Sequence, residues 1–149
     1  KTLELGIANK INSYHVNGDD VIFTLDTHYD DYMDSYEGKH LPVPHCIENT
    51  DGHKLYGSVA DCVSGEDIVF RKTTFGSDAL YEYLKTACYG SVELVGVVTN
   101  ICVVANAVLA KTALPDADII VDSMLTASND ERLHNAALDT MEGMQIIIK

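Results

Sequence analysis

The sequence predicts an α/β fold of three layers, α/β/α, around a mostly parallel, doubly wound sheet, and two observations carry that prediction. Short apolar runs rich in β-branched residues alternate along the chain with stretches of helical periodicity. The 149 residues, 46% of them hydrophobic, suit one domain over residues 1–149 with a single core. Strict alternation argues for parallel strands joined by right-handed crossovers, helices on both faces, and a ligand site outside the strand carboxyl ends.

Leu3, Leu5, Ile7, Ile11, Tyr14 and His15 fall at roughly helical spacing, and Asn17-Gly18 closes that helix with a left-handed cap. Asp20 then opens a strand, Val21-Ile22-Phe23-Thr24-Leu25, apolar enough to be covered on both faces. The segment 26–67 differs: it has little periodicity, and it holds Pro42, Pro44 and four of the six histidines. Aperiodic stretches of that length in a domain are usually functional. Ile68-Val69-Phe70 is the next strand, and Ser77 caps a helix running through Leu80, Tyr81, Leu84 and Cys88 to Gly90. A strand over 92–98 leads into an apolar helix over 101–114 that Pro115 ends. A strand over 118–121, a helix over 129–141 and a strand over 145–148 complete the order.

The net charge of −13 repels phosphate backbones and anionic lipid surfaces, so nucleic acids and membranes are poor partners and a small neutral or cationic ligand is favoured. No apolar run approaches the roughly 20 residues of a membrane span, and residues 1–10 lack the apolar stretch of a secretory signal. A cytoplasmic protein is expected. Cys46, Cys62, Cys88 and Cys102 lie far apart, without the spacing of a zinc knuckle or a disulfide framework, and read as reduced thiols.

Three places can carry chemistry. In Gly96-Val97-Val98-Thr99-Asn100-Ile101-Cys102 a thiol falls in the first turn of a helix, just beyond a strand. Free N–H groups there stabilise a thiolate and can bind a developing oxyanion. A simply buried cysteine is the competing interpretation. Phe70-Arg71-Lys72-Thr73 brings cations to another strand end, where Lys72 would favour a charged sulfur, although a solvated lysine is commoner; Arg71 is less specific. Asp26-Thr27-His28, with His45 in Pro44-His45-Cys46, offers one carboxylate and two imidazoles, a set suited to zinc or a similar divalent ion. Glu37 adds a possible oxygen, His40 and His53 further nitrogens, and the alternative is a polar loop whose histidines only hydrogen-bond.

Together these segments resemble the isochorismatase-like cysteine hydrolase superfamily, with nicotinamidases the most similar branch. Val97 to Val103 looks like its nucleophile motif, Phe70-Arg71-Lys72 like its lysine strand, and Leu25 to His28 with Pro44-His45-Cys46 like the nicotinamidase metal motif. The resemblance implies Cys102 as nucleophile, Lys72 as its cationic partner and a cis peptide between Val97 and Val98. It implies an oxyanion hole from the amides of Val98 and Cys102, and a metal, zinc by expectation, on Asp26, His28, His45 and Glu37. The implied reaction hydrolyses a small amide, nicotinamide to nicotinate and ammonia in NAD metabolism, through a thioester, in a homo-oligomer. The family also begins with an apolar strand ending in a catalytic aspartate, and residues 1–18 look like the helix after it. The first strand is therefore expected to be missing from this chain, and a polypeptide truly starting at Lys1 to be inactive. Pro42 stands where nicotinamidases carry an aromatic, so Tyr29, Tyr32 or Tyr36 would have to supply a ring. Two other readings stay open: a metal-free hydrolase of another small substrate, and a non-enzymatic binding module.

Overall fold

The computed structural model describes residues 2–149; Lys1, included in the expected first helix, lies outside them. Helix α1 (Thr2–Asn17) stops at Gly18, whose φ of 79° is open to glycine at no steric cost. Strand β1 (Ile22–Asp26) follows, and β2 (Ile68–Lys72) comes only after the long segment. That segment is more ordered than its lack of periodicity predicts. It folds into two short helices, α2 (Tyr36–His40) and α3 (Gly57–Asp61), and two 3₁₀ turns, Tyr32–Asp34 and Asp51–His53. Elements this short leave no periodic trace; they are set by local chemistry. Ser35 caps α2 by accepting from the Gly38 amide, and a side chain at Gly38 would collide with the Tyr32 carbonyl.

Helix α4 (Asp78–Ala87) starts on its Ser77 cap as expected, but it ends at Cys88, in a left-handed conformation at φ 55°, before reaching Gly90. Strand β3 (Ser91–Val97) then runs into a π-helical turn, Thr99–Val103, ahead of α5 (Val104–Ala113). Strand β4 (Asp118–Ala127) is six residues longer than the apolar run 118–121, because a register shift between Leu94 and Gly96 lets pairing resume at Gly96↔Thr126. Helix α6 (Glu131–Gly143), capped by Asp130, and β5 (Ile147–Ile148) complete the chain.

All strand pairs are parallel. They form two sheets, β1-β2 and β3-β4-β5. Helix α1, with α3 against it, contacts β3 and β4, whereas α4, α5 and α6 pack on one another and on β2, β4 and β5. Among the described residues no strand pairs with the second edge of β1 or of β3, and a cleft of about 520 Å³ lies between them. Its walls include Ile22, Phe23 and Thr24 on one side, Glu93 to Val97 on the other, and Ile7 and Ile11 of α1; Cys102 is at its edge. The main buried cluster is centred on one half: Leu84, Ala107, Ala110, Ile119, Val121 and Met141 are wholly inaccessible and sit on α4, α5, β4 and α6, while Ile11 of α1 and Phe23 of β1 are buried apart from it.

Candidate active site and metal centre

Parallel register sets the first contact of the site. Asp26 and Lys72 are ladder partners at the last positions of β1 and β2, so their side chains leave the sheet together. Lys72, only 5% exposed, donates to Asp26 Oδ1 at 3.1 Å, to the Thr74 carbonyl at 3.1 Å and to Cys102 Sγ at 3.5 Å. An ammonium has three hydrogens, and here each has an acceptor. Cys102 itself is half-buried. Arg71 points elsewhere, to Glu48 at 2.6 Å on the exposed side.

The turn carrying Cys102 is held from three sides. Asn106, on the first turn of α5, donates to the Cys102 carbonyl at 2.8 Å and the Phe75 carbonyl at 3.2 Å, and accepts from the Ser77 amide at 2.9 Å. His134 of α6 meets the Thr99 hydroxyl at 2.9 Å, and the Ser128 hydroxyl donates to Asn100 Oδ1 at 2.6 Å. The Val97–Val98 peptide just before this turn is cis, as the resemblance implied. None of the three braces was singled out from sequence. Asn106 had a signal: a fully polar amide inside the apolar run Val103 to Val108, 4% exposed once folded.

Across Lys72 lies the second cluster. Asp26, His28 and His45 each turn a ligand atom into one space, all within 4.8 Å of one another. His28 Nε2 is 3.4 Å from Asp26 Oδ2 and 3.9 Å from Glu37 Oε1; His45 Nε2 is 3.6 Å from each of those oxygens. Donors about 2.1 Å from a tetrahedral ion stand about 3.4 Å apart; Asp26, His28 and His45 are spaced for such an ion, while Glu37 lies beside the two imidazoles and outside that set of three. Two further observations fit an ion. His28 Nε2 is buried with no hydrogen-bond partner, a loss of about 1–3 kcal/mol that coordination would reverse. His45 Nδ1 lies 2.9 Å from the Val43 carbonyl, which can only accept; the proton is therefore on Nδ1, and the lone pair of Nε2 faces the cluster.

The other named residues are not brought in. His40 turns its Nδ1 to the Tyr36 carbonyl on the surface, and His53 bonds Thr27 behind the strand. Tyr29 and Tyr36 are 50% and 80% exposed. Tyr32 is buried, with its ring 4.7 Å from that of His28 and 5.1 Å from that of His45, and its hydroxyl donates to the Leu41 carbonyl. Burial pushes its phenol up, and the charges of Glu37 and Asp26 add to that. Burial likewise raises the Cys46 thiol, reinforced by Asp26 and opposed by Lys72.

Parallel strands under helices, with a thiol, a buried ammonium and an acid–imidazole cluster at the strand carboxyl ends, place this chain among three-layer α/β proteins whose site lies at the strand ends. The chain belongs to the isochorismatase family of hydrolases: the Isochorismatase domain model matches residues 6–148. It is 31% identical over 147 residues to an uncharacterized isochorismatase family protein of Bacillus subtilis, PncA, covering 93% of this chain and 78% of that one. The crystal structure of a nicotinamidase/pyrazinamidase PncA from Bacillus subtilis superposes with a TM-score of 0.86 at 26% identity, over 99% of this chain and 84% of that one. A pyrazinamidase/nicotinamidase from Streptococcus mutans gives 0.86 at 27% identity, over 99% and 85%. A Pyrococcus horikoshii pyrazinamidase solved in complex with zinc shares the fold, with a TM-score of 0.83 over 99% and 84%, at 19% identity. Among the described residues no helix is long and apolar enough to cross a membrane.

Proposed function

We propose that this chain is a nicotinamidase-like amidohydrolase, in which Cys102 attacks the carboxamide carbon of a small aromatic amide such as nicotinamide. The observation that carries the reading is the position of Lys72, within hydrogen-bond reach of both the sulfur and a metal-ligand carboxylate. A buried ammonium beside sulfur stabilises negative charge on it, which is the condition for nucleophilic attack. The S–C bond forms while the carbonyl oxygen becomes an oxyanion held by the amides of Val98 and Cys102. The C–N bond then breaks, the nitrogen takes up the proton that the thiol gave up, ammonia leaves, and water hydrolyses the thioester to the acid and free thiol.

Asp26, His28, His45 and Glu37 would hold a divalent ion, zinc by preference of its nitrogen and oxygen donors. When bound, that ion supplies a Lewis-acid anchor for a ring nitrogen. The chain's own residues do the rest: Lys72 fixes the Asp26 carboxylate from one side, and Tyr32 packs the two imidazoles from the other. That the matched proteins are a nicotinamidase/pyrazinamidase and a pyrazinamidase/nicotinamidase supports a pyridine or pyrazine carboxamide as substrate. We carry a cytoplasmic setting, a homo-oligomer and a place in NAD metabolism with this reading.

The test is ammonia release from nicotinamide and pyrazinamide by the full-length protein, with and without a chelator. The expected result is turnover that a chelator abolishes and added zinc restores. Turnover that survives metal removal would replace this with the metal-free hydrolase, and no turnover on any small amide would leave a binding module.

A further inference from the structure

Three of the metal-site residues hang on two separate backbone segments, β1 with its extension and the loop after Pro44, and something must keep them in register. Backbone pairing supplies part: the Thr27 amide donates to the Lys72 carbonyl, the His28 amide to the Cys46 carbonyl, and the Glu48 amide to the His28 carbonyl. These bonds fix the height of the two segments but not the tilt of one against the other. The side chain between Asp26, the end of β1, and His28 is Thr27. In extended backbone it projects opposite to Asp26 and His28, away from the metal space, and it is wholly inaccessible.

We propose that Thr27 and His53 act as a pair of positioning residues for the metal centre, an inference that rests on the metal reading above. Thr27 Oγ1 donates its one hydrogen to the Leu25 carbonyl at 3.0 Å. Its contact with His53 Nε2, 2.9 Å away, must then be one in which the hydroxyl accepts, so His53 carries its proton on Nε2. His53 is 8% exposed and lies on the Asp51–His53 turn, whose amide bonds tie it to Thr50; the Thr50 hydroxyl in turn donates to the Ile47 carbonyl. Ile47 is the residue that bridges His28. The imidazole thus closes a ring, from β1 through Thr27 to the turn and back through residues 46–50 to the loop bearing His45. His53 contributes no atom to the ion; it holds the back of the strand so that Asp26 and His28 face His45 on the front. Outer partners of metal ligands commonly alter affinity by about 10- to 100-fold.

Zinc affinity, measured by competition with a chromophoric chelator, and the visible spectrum of the cobalt-substituted protein separate this from a merely structural role. Thr27→Val and His53→Leu are expected to weaken zinc binding about 10- to 100-fold and to change the cobalt bands. Thr27→Ser and His53→Gln, which keep the hydroxyl and an N–H donor at a similar reach, are expected to stay within about 3-fold of wild type, a small share of that range. All four are measured below their thermal transitions, so loss of fold is excluded by circular dichroism. If wild type binds zinc and His53→Leu binds it equally, with an unchanged cobalt spectrum, the pair is structural only and the inference fails. If wild type itself takes up no metal, the metal reading fails first and this one with it.

Discussion

The two halves of the sheet are built differently, and the site straddles them. The β3-β4-β5 half contains the whole buried cluster, from Leu80 and Leu84 of α4 to Met141 of α6, and its Cys102 turn is braced by Asn106, His134 and Ser128. The β1-β2 half gives that cluster only partly buried neighbours such as Ile22 and Phe70, and of its proposed ligands Asp26 ends β1 while His28 and His45 lie on irregular backbone tied by backbone bonds and by contacts such as that of Thr27 with His53. Among the described residues no strand bonds join the halves. Lys72 bridges them, rooted in one half and donating to the sulfur of the other. A nucleophile must be rigid before substrate arrives, whereas a metal can complete the order of its own loops on binding. The contrast yields an expectation: chemistry and metal binding should be separable by mutation.

The largest separation comes from the sulfur. Cys102→Ala should lower amide turnover by about 10³-fold or more while leaving zinc affinity within a factor of about 2, because the alanine removes the proposed nucleophile and touches none of the proposed ligands. Turnover and zinc binding are measured on the same preparation. If the alanine variant kept a substantial share of the activity, Cys102 would not be the nucleophile; if it lost its metal, the two halves would be one unit.

Legibility from sequence follows the same division. Thiol, lysine and the Asp-x-His pair could be read because few residue types perform their chemistry and the spacing fixes them to strand ends. The bracing contacts of Asn106, His134, Thr27 and His53 could not, although Asn106 stood out as polar and His53 as a possible ligand, since each residue acts through a partner 26 to 35 positions away, or 4 in the case of the Cys102 carbonyl. The alternation of strands and helices was plain, yet the second half of β4 was not: Asp122 and Ser123 interrupt its apolar run, and only pairing across the register shift makes it strand.

A core substitution sharpens the comparison from the other side. Met141 is wholly buried among the helices that cover β4 and β5. Met141→Ala should cost about 2–5 kcal/mol by the methylene groups lost and the cavity left, lowering the melting temperature by about 5–15 °C. Zinc affinity below the transition should hardly move, and calorimetry with and without zinc reads both. A variant that lost zinc affinity in proportion to its stability would show that the metal loops borrow their order from this core.

The smallest effect tests the seam. Glu93, on the open edge of β3, accepts from Lys10 at 2.7 Å and from the Tyr14 hydroxyl at 2.6 Å, so it fastens α1 beside the cleft. Burial alone would push this carboxyl up, but the bonds from Lys10 and Tyr14 and the charges of Lys10 and Lys149 outweigh it and hold it below the ordinary 4.5. The folded state therefore binds this proton less readily than the unfolded chain. Its contribution to stability is fully present above pH 4.5 and disappears as pH falls through the depressed folded value. Glu93→Gln should be less stable than wild type at neutral pH, only modestly because Lys10 keeps Asp122 at 2.8 Å, and the gap should close on acidification below 4.5. Chemical denaturation across that range measures it. A gap independent of pH would mean that packing of the side chain, and not its charge, holds α1 to β3; a gap that widened in acid would reverse the sign of the linkage.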